Sequence, residues 1–130
     1  MKRRTYLQSI LAGTAVAAME AAAPGGHPIQ LEVDLSVDPA KEAHMLNIFH
    51  TQFRPAAEKQ PGYIRVEMLK LRTVVQPPAP ADCNYRFVLT YQSEEQRQKW
   101  ITTPIHKQLW PKIEDTLRTK NYNVLLYDVA

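Results

Sequence analysis

Four histidines and a single cysteine carry most of the chain's capacity for proton transfer and nucleophilic attack. His106 follows Ile105 and precedes Leu109 at the start of an apolar-periodic stretch, so its ring belongs near the edge of a core. A neutral imidazole there can act as a general base; the competing reading is a surface histidine making a capping or solvent contact. His50 adjoins Phe49, lies close to Phe53 and follows Leu46 by one turn. It points either into the same apolar region or along the boundary of an amphipathic helix. His44 and His50 are six apart, on different helix faces, and the i, i+4 histidine pair of a zinc site is absent, so no metal is expected. Trp100, Trp110, Phe49, Phe53, Tyr85 and Tyr91 are enough aromatic surface to wall a pocket, or simply to fill a core.

Other chemistries lack their residues. With four Gly there is no phosphate-cradling loop or dinucleotide fingerprint, and no serine elbow or zinc signature occurs. One Cys, Cys83, excludes an internal disulfide framework. It sits beyond a proline-rich loop, Gln76 to Asp82, as a small apolar side chain, a free thiol or a link to a second chain.

The elements that position these residues follow from periodicity. Ile29, Leu31, Val33, Leu35 and Val37 alternate with polar residues, a half-buried strand. Asp38-Pro39 stops it and caps a helix expected over 39–59, with Leu46, Phe49, Phe53 and Ala56 as its apolar stripe and Pro55 kinking it or marking its last turns. A second strand, 63–71, places Ile64, Val66 and Met68 on one face and Tyr63, Arg65, Glu67, Leu69 and Leu71 on the other. A third runs over 85–92. Ser93 caps a short helix ending at Trp100-Ile101. Thr103-Pro104 opens another helix, expected to reach about Thr119, and the last strand spans 122–129. The order β-α-β-β-α-β predicts an α+β, ferredoxin-like fold with an antiparallel sheet. Helices then cover one face only, and the other carries Glu32, Asp34, Arg65, Glu67 and Arg86, fit for cross-strand ion pairs. Packing two such sheets together would cover that face, so a homodimer is expected.

The first residues read as an address. Lys2-Arg3-Arg4 precedes an uncharged, small-residue run from Leu7 to Met19, then Ala21-Ala22-Ala23-Pro24. That is a signal peptide over 1–23, too short to span a bilayer, and the paired arginines before Tyr6-Leu7 resemble the twin-arginine type. Residues 24–28 are a linker and 29–130 the domain. Cleavage removes three basic residues and one acidic, so the formal charge falls from +3 to +1. The mature domain then lacks the basic excess that nucleic acid or an anionic membrane surface requires. The expected destination is the periplasm or the exterior of a bacterium, with no membrane insertion after cleavage.

Three stretches resemble a known family. Phe53-Arg54-Pro55-Ala56-Ala57-Glu58-Lys59-Gln60-Pro61-Gly62-Tyr63 is similar to the helix end and Pro-Gly turn of antibiotic-biosynthesis-monooxygenase (ABM) domains. Tyr85 to Glu95 resembles their third strand and acidic helix cap, and Trp100 to His106 the helical stretch that follows. With the element order, the likeness spans about Ile29 to Val129. It implies a dimeric α/β barrel with a pocket between sheet and helices. It also implies that some relatives oxidise quinol- or anthrone-like aromatics with oxygen and no cofactor, while others degrade haem. The haem-degrading pattern has a ligand histidine one turn beyond His106; Trp110 stands there, and Tyr91 takes the place of a strand tryptophan.

Such an oxygenase binds a flat aromatic, deprotonates its hydroxyl and steadies the anion while an electron passes to oxygen. The expectation is a cofactor-independent monooxygenase acting on a small aromatic. His106 and His50 are its candidate bases, and Phe49, Phe53, Tyr91, Trp100 and Arg86 its candidate binding residues. A non-catalytic dimer of the same fold, holding a small hydrophobic ligand, is the alternative, and a purely structural dimer a third.

Overall fold

Alternation of apolar and polar side chains makes β1, Ile29–Leu35. Its odd-numbered residues turn toward the core, and Gln30, Glu32 and Asp34 turn away. The computed structural model describes residues 27–130, so the signal peptide expected over 1–23 and residues 24–26 of the expected linker lie outside the described residues. Asp38 accepts a hydrogen bond from the Ala40 amide at 2.9 Å. Pro39 opens the 3-10 turn Pro39–Lys41, where its missing N–H is no loss. The chain continues as α1 (Glu42–Ile48), a π-helical segment (Phe49–Phe53) and α2 (Arg54–Glu58). Then come β2 (Tyr63–Lys70), β3 (Tyr85–Tyr91), α3 (Glu94–Ile101), α4 (Pro104–Glu114) and β4 (Val124–Asp128). The sheet order is β2-β3-β1-β4, every neighbouring pair antiparallel. This is the ferredoxin-like order that the element sequence predicts.

Three details depart from the periodicities, each for a physical reason. Pro55 stands in the last helical turn, Arg54–Glu58, as one of the two expectations had it; the departure is the π-helical segment ahead of it. A proline cannot donate to the carbonyl four residues back and its ring crowds that carbonyl. Here the preceding turn widens, so the Arg54 amide reaches the Phe49 carbonyl and the helix runs on past the proline. In β2 a bulge between Tyr63 and Arg65 resets the alternation. Tyr63 therefore shares the core-facing side with Val66 and Met68, while Ile64 is left 42% exposed. Finally, α4 stops at Glu114 rather than near Thr119. Thr116 is buried and its hydroxyl donates to the Ile113 carbonyl. Leu117 leaves the helix to pair with Val37, and the Arg118 amide donates to the Ser36 carbonyl, prolonging the edge beside β1.

The core lies between the sheet and the helices. Val33, Leu35, Phe87, Leu89 and Tyr91 from the sheet meet Met45, Phe49, Phe53, Trp100 and Ile113 from the helices. The opposite face of the sheet has no covering layer among the described residues. It carries Glu32, Asp34, Arg65, Glu67 and Arg86 beside Leu69, Leu125 and Tyr127. β4 at the sheet's edge is exposed at all five positions, with Val124 through Tyr127 between 45 and 52% accessible. No helix among the described residues is long and apolar enough to cross a membrane.

Candidate functional site

Thr103 sets the site's geometry. Its hydroxyl donates to the Trp100 carbonyl at 2.7 Å, closing α3, and accepts from the His106 amide at 3.2 Å, capping α4. One side chain thus ties two helix ends together. It brings the Trp100 and His106 rings edge to face, with centroids 4.9 Å apart. Pro104 at the start of α4 stiffens the corner. Phe53 arrives from the π-helical segment, 5.6 Å from Trp100 and 6.1 Å from His106.

Between these rings and the sheet lies an apolar cleft of about 120 Å³. Leu31, Val33, Phe87, Leu89 and Val124 form its sheet side, and Phe53, Trp100, Ile101, His106, Trp110 and Tyr122 its helix and loop side. His106 is the titratable base there. Burial, and secondarily the Arg97 guanidinium, hold its imidazole below the usual value, so it is neutral near pH 7. Arg97 is itself held by both carboxylate oxygens of Glu94, at 2.7 and 2.8 Å.

The other polar element is a relay on the same helix-and-loop side, one turn along the helix from His106. The Trp110 indole N–H donates to the Tyr122 hydroxyl at 2.9 Å, and that hydroxyl donates to Glu114 Oε2 at 2.6 Å. Burial and the carboxylate raise the Tyr122 pKa, so the phenol stays protonated.

Of the residues that the sequence singles out, the structure brings His106, Phe53 and Trp100 to the cleft. His50 does not join them. Phe49 and Phe53 stack at 6.2 Å on the core side of the π-helical segment. Their neighbour in the chain is thereby turned to solvent, and His50 is exposed with its ring edge against Phe49. Phe49 is wholly buried but packs behind the cleft, beside Phe53 and Phe87. Tyr91 is also wholly buried, stacked edge to face with Tyr63, outside the cleft lining. Arg86 belongs to the other side of the sheet. Alternation along β3 puts it there, paired with Asp34 at 2.8 Å and Glu32 at 3.5 Å, the cross-strand pairing expected of it. A second cleft of about 290 Å³ on that side includes Arg86, Leu69 and Cys83. Burial pushes the Cys83 thiol up, which leaves it a poor nucleophile at neutral pH.

Tyr122, Glu114, Val124 and Leu31 are missing from the sequence-based site. Glu114 follows Trp110 by one helical turn, a spacing that places both on one face. Tyr122 comes from a loop with no period to read. Among the described residues, no three His, Cys, Asp or Glu side chains converge as a metal site would need.

Neither a protein-family model nor a curated protein matches this sequence. Solved structures do match. SnoaB, a cofactor-independent oxygenase from Streptomyces nogalater, superposes with a TM-score of 0.64 at 13% identity, over 80% of this chain and 94% of that one. What is shared is the fold. A candidate antibiotic biosynthesis monooxygenase of Caulobacter crescentus gives 0.66 at 17% identity, over 80% and 91%. A dimeric ferredoxin-like protein of unknown function from Jannaschia gives 0.64 at 14%, over 79% and 98%. The chain thus has the ferredoxin-like architecture of the ABM-like structures.

Proposed function

We propose that this protein is a cofactor-independent monooxygenase of single-ring, quinol-like aromatics. The observation that carries the reading is one neutral imidazole, His106, at the wall of a cleft otherwise built from aromatic rings and aliphatic side chains. The shared fold with a cofactor-independent oxygenase supports it. The cleft volume selects the substrate size. An apolar cavity of about 150 Å³ holds a benzene. The cleft here, about 120 Å³, is of that order, whereas a three-ring anthrone needs the walls to part.

In this reading the ring stacks among Phe53, Trp100 and Trp110, and His106 takes the proton of one ring hydroxyl. The electron-rich anion reduces dioxygen and then bonds to it. One oxygen atom stays on the ring and the other leaves as water, so hydroquinone and O₂ give hydroxyquinone and H₂O.

We also propose that the working form is a homodimer, with the uncovered sheet face packed on a second copy. That face mixes Leu125 and Tyr127 with acidic Glu32 and Asp34 and basic Arg65 and Arg86, so a two-fold pairing can set opposite charges together. Residues 1–23 are proposed to direct export by the twin-arginine route. A reporter fused behind them, with and without Arg3→Lys and Arg4→Lys, tests that.

The test of the activity is oxygen uptake with hydroquinones and anthrones, no metal or flavin added. Uptake above the autoxidation blank that is lost on His106→Gln supports the reading. A flat trace across the panel overturns it in favour of a ligand-binding dimer without turnover.

A further inference from the structure

We propose that Tyr122 reads a hydroxyl on the ligand, accepting a hydrogen bond from it and giving none. The inference rests on the aromatic cleft of the proposed function and follows from counting protons and lone pairs. A phenol has one proton to give and an oxygen that can accept. The Tyr122 proton is committed to Glu114 Oε2 at 2.6 Å. One acceptance is filled by the Trp110 indole at 2.9 Å. An indole can only donate and a carboxylate can only accept, so neither bond can reverse. Tyr122, which carries this oxygen, lines the cleft, and so does Trp110. What the oxygen has left to offer is one lone pair.

The consequence is a sign. A ligand group beside Tyr122 must bring its own proton. The O–H of a phenol or quinol satisfies it. The carbonyl of a quinone meets a lone pair and is repelled. The cleft therefore favours the reduced ring over its oxidised product at this position. Trp110 and Glu114 act as positioning residues, because they fix which way the Tyr122 proton points. Had Tyr122 been free, its hydroxyl would rotate and accept either partner.

Phenol and toluene, which differ by OH against CH₃ at nearly the same size, are the probes. In a cleft without a suited acceptor toluene wins, because the phenol hydroxyl loses its water with no replacement. A well-placed acceptor gains roughly tenfold on top of removing that penalty. Isothermal titration calorimetry on the full chain should give phenol the tighter Kd by about tenfold. Tyr122→Phe should reverse the order, with toluene affinity held within about twofold. Since that variant strands the Trp110 N–H and Glu114, Glu114→Gln is the second arm. Its amide can donate to Tyr122 and free the phenol proton, so the phenol preference should shrink at least threefold. Toluene binding the unsubstituted protein as tightly as phenol overturns the inference and leaves the aromatic cleft standing. So does a phenol preference that survives both substitutions. If neither ring binds, the reading of the cleft falls, and this inference with it.

Discussion

Phe53→Ala is the substitution that presses hardest on the cleft. Phe53 is 1% exposed, and its ring lies 5.5 to 6.2 Å from those of Phe49, Phe87, Trp100 and Trp110, with His106 at 6.1 Å. Truncating a buried phenylalanine costs about 3–5 kcal/mol, part of it for the cavity left behind. One flank of Phe53 already faces the cleft, so the hole merges with existing space rather than becoming a sealed void. The lower end, about 3 kcal/mol, is therefore expected. In a domain of this size about 1 kcal/mol moves Tm by about 4–8 °C, which puts the fall at about 12–24 °C. The widened cleft should then take two fused rings. At one hundred times its Kd, 2-naphthol would restore about 2.7 kcal/mol to the variant, nearly the whole loss. Near-UV circular dichroism melts, with and without the naphthol, measure both numbers. A fall of under about 4 °C would refute the packing argument. A naphthol that stabilises the unsubstituted protein as much as the variant would refute the size argument.

Four further outcomes follow from the placement of charges and rings. His106→Gln should cut the oxygen-uptake rate at least about 100-fold, the usual worth of a positioned base. Because burial lowers the His106 pKa, the base form dominates from below the ordinary imidazole value of about 6.5. The kcat/KM of the unsubstituted protein should accordingly rise with pH through a limb below 6.5 and be flat above it; a limb above 7 contradicts the assignment. Arg86→Gln sits across the sheet from the cleft and should leave kcat/KM within twofold; in the dissociated protomer, where its ion pair is half-exposed, the stability change by urea titration should be under about 1 kcal/mol. Leu125→Glu, placed on the uncovered face, should yield a monomer in analytical ultracentrifugation; an unchanged sedimentation coefficient at micromolar concentration would remove that face as the interface.

How far the sequence could be read depended on whether a residue obeyed a period. β1 alternates strictly and its faces come out as the alternation says, while β3 keeps Tyr85, Phe87, Leu89 and Tyr91 on the core side although Val88 and Thr90 on its other side are buried too. Asp38, Ser93 and Thr103 are short polar side chains ahead of apolar-periodic runs, and all three cap the helices they precede. The misplacements occur where one extra residue shifts the phase. The π-helical segment ahead of Pro55 does this to the alanines beyond it, burying Ala57 rather than the Ala56 of the predicted stripe, and the bulge in β2 does it to Tyr63 and Ile64. Neither insertion has a signature in a single sequence beyond the proline itself. His106 was legible because a capping threonine and a proline fix its position three residues on. Tyr122 was not, since its role comes from two bonds to residues of another element, a matter of tertiary placement alone.

The bare strand β4 links the ligand to dilution. Val124 lines the cleft, and its strand is the one whose five residues are all exposed. If a second copy packs on the other side of this strand, association steadies the strand that carries Val124, and a compound bound in the cleft favours the associated state to the extent that it steadies the same strand. Mass action then makes melting temperature climb with protein concentration. By reciprocity, a saturating ring compound would tighten the subunit equilibrium by the same factor with which association tightens the ring. An affinity measured at nanomolar protein and one measured at micromolar protein would then differ, and the ratio between them would be the coupling constant of the assembly.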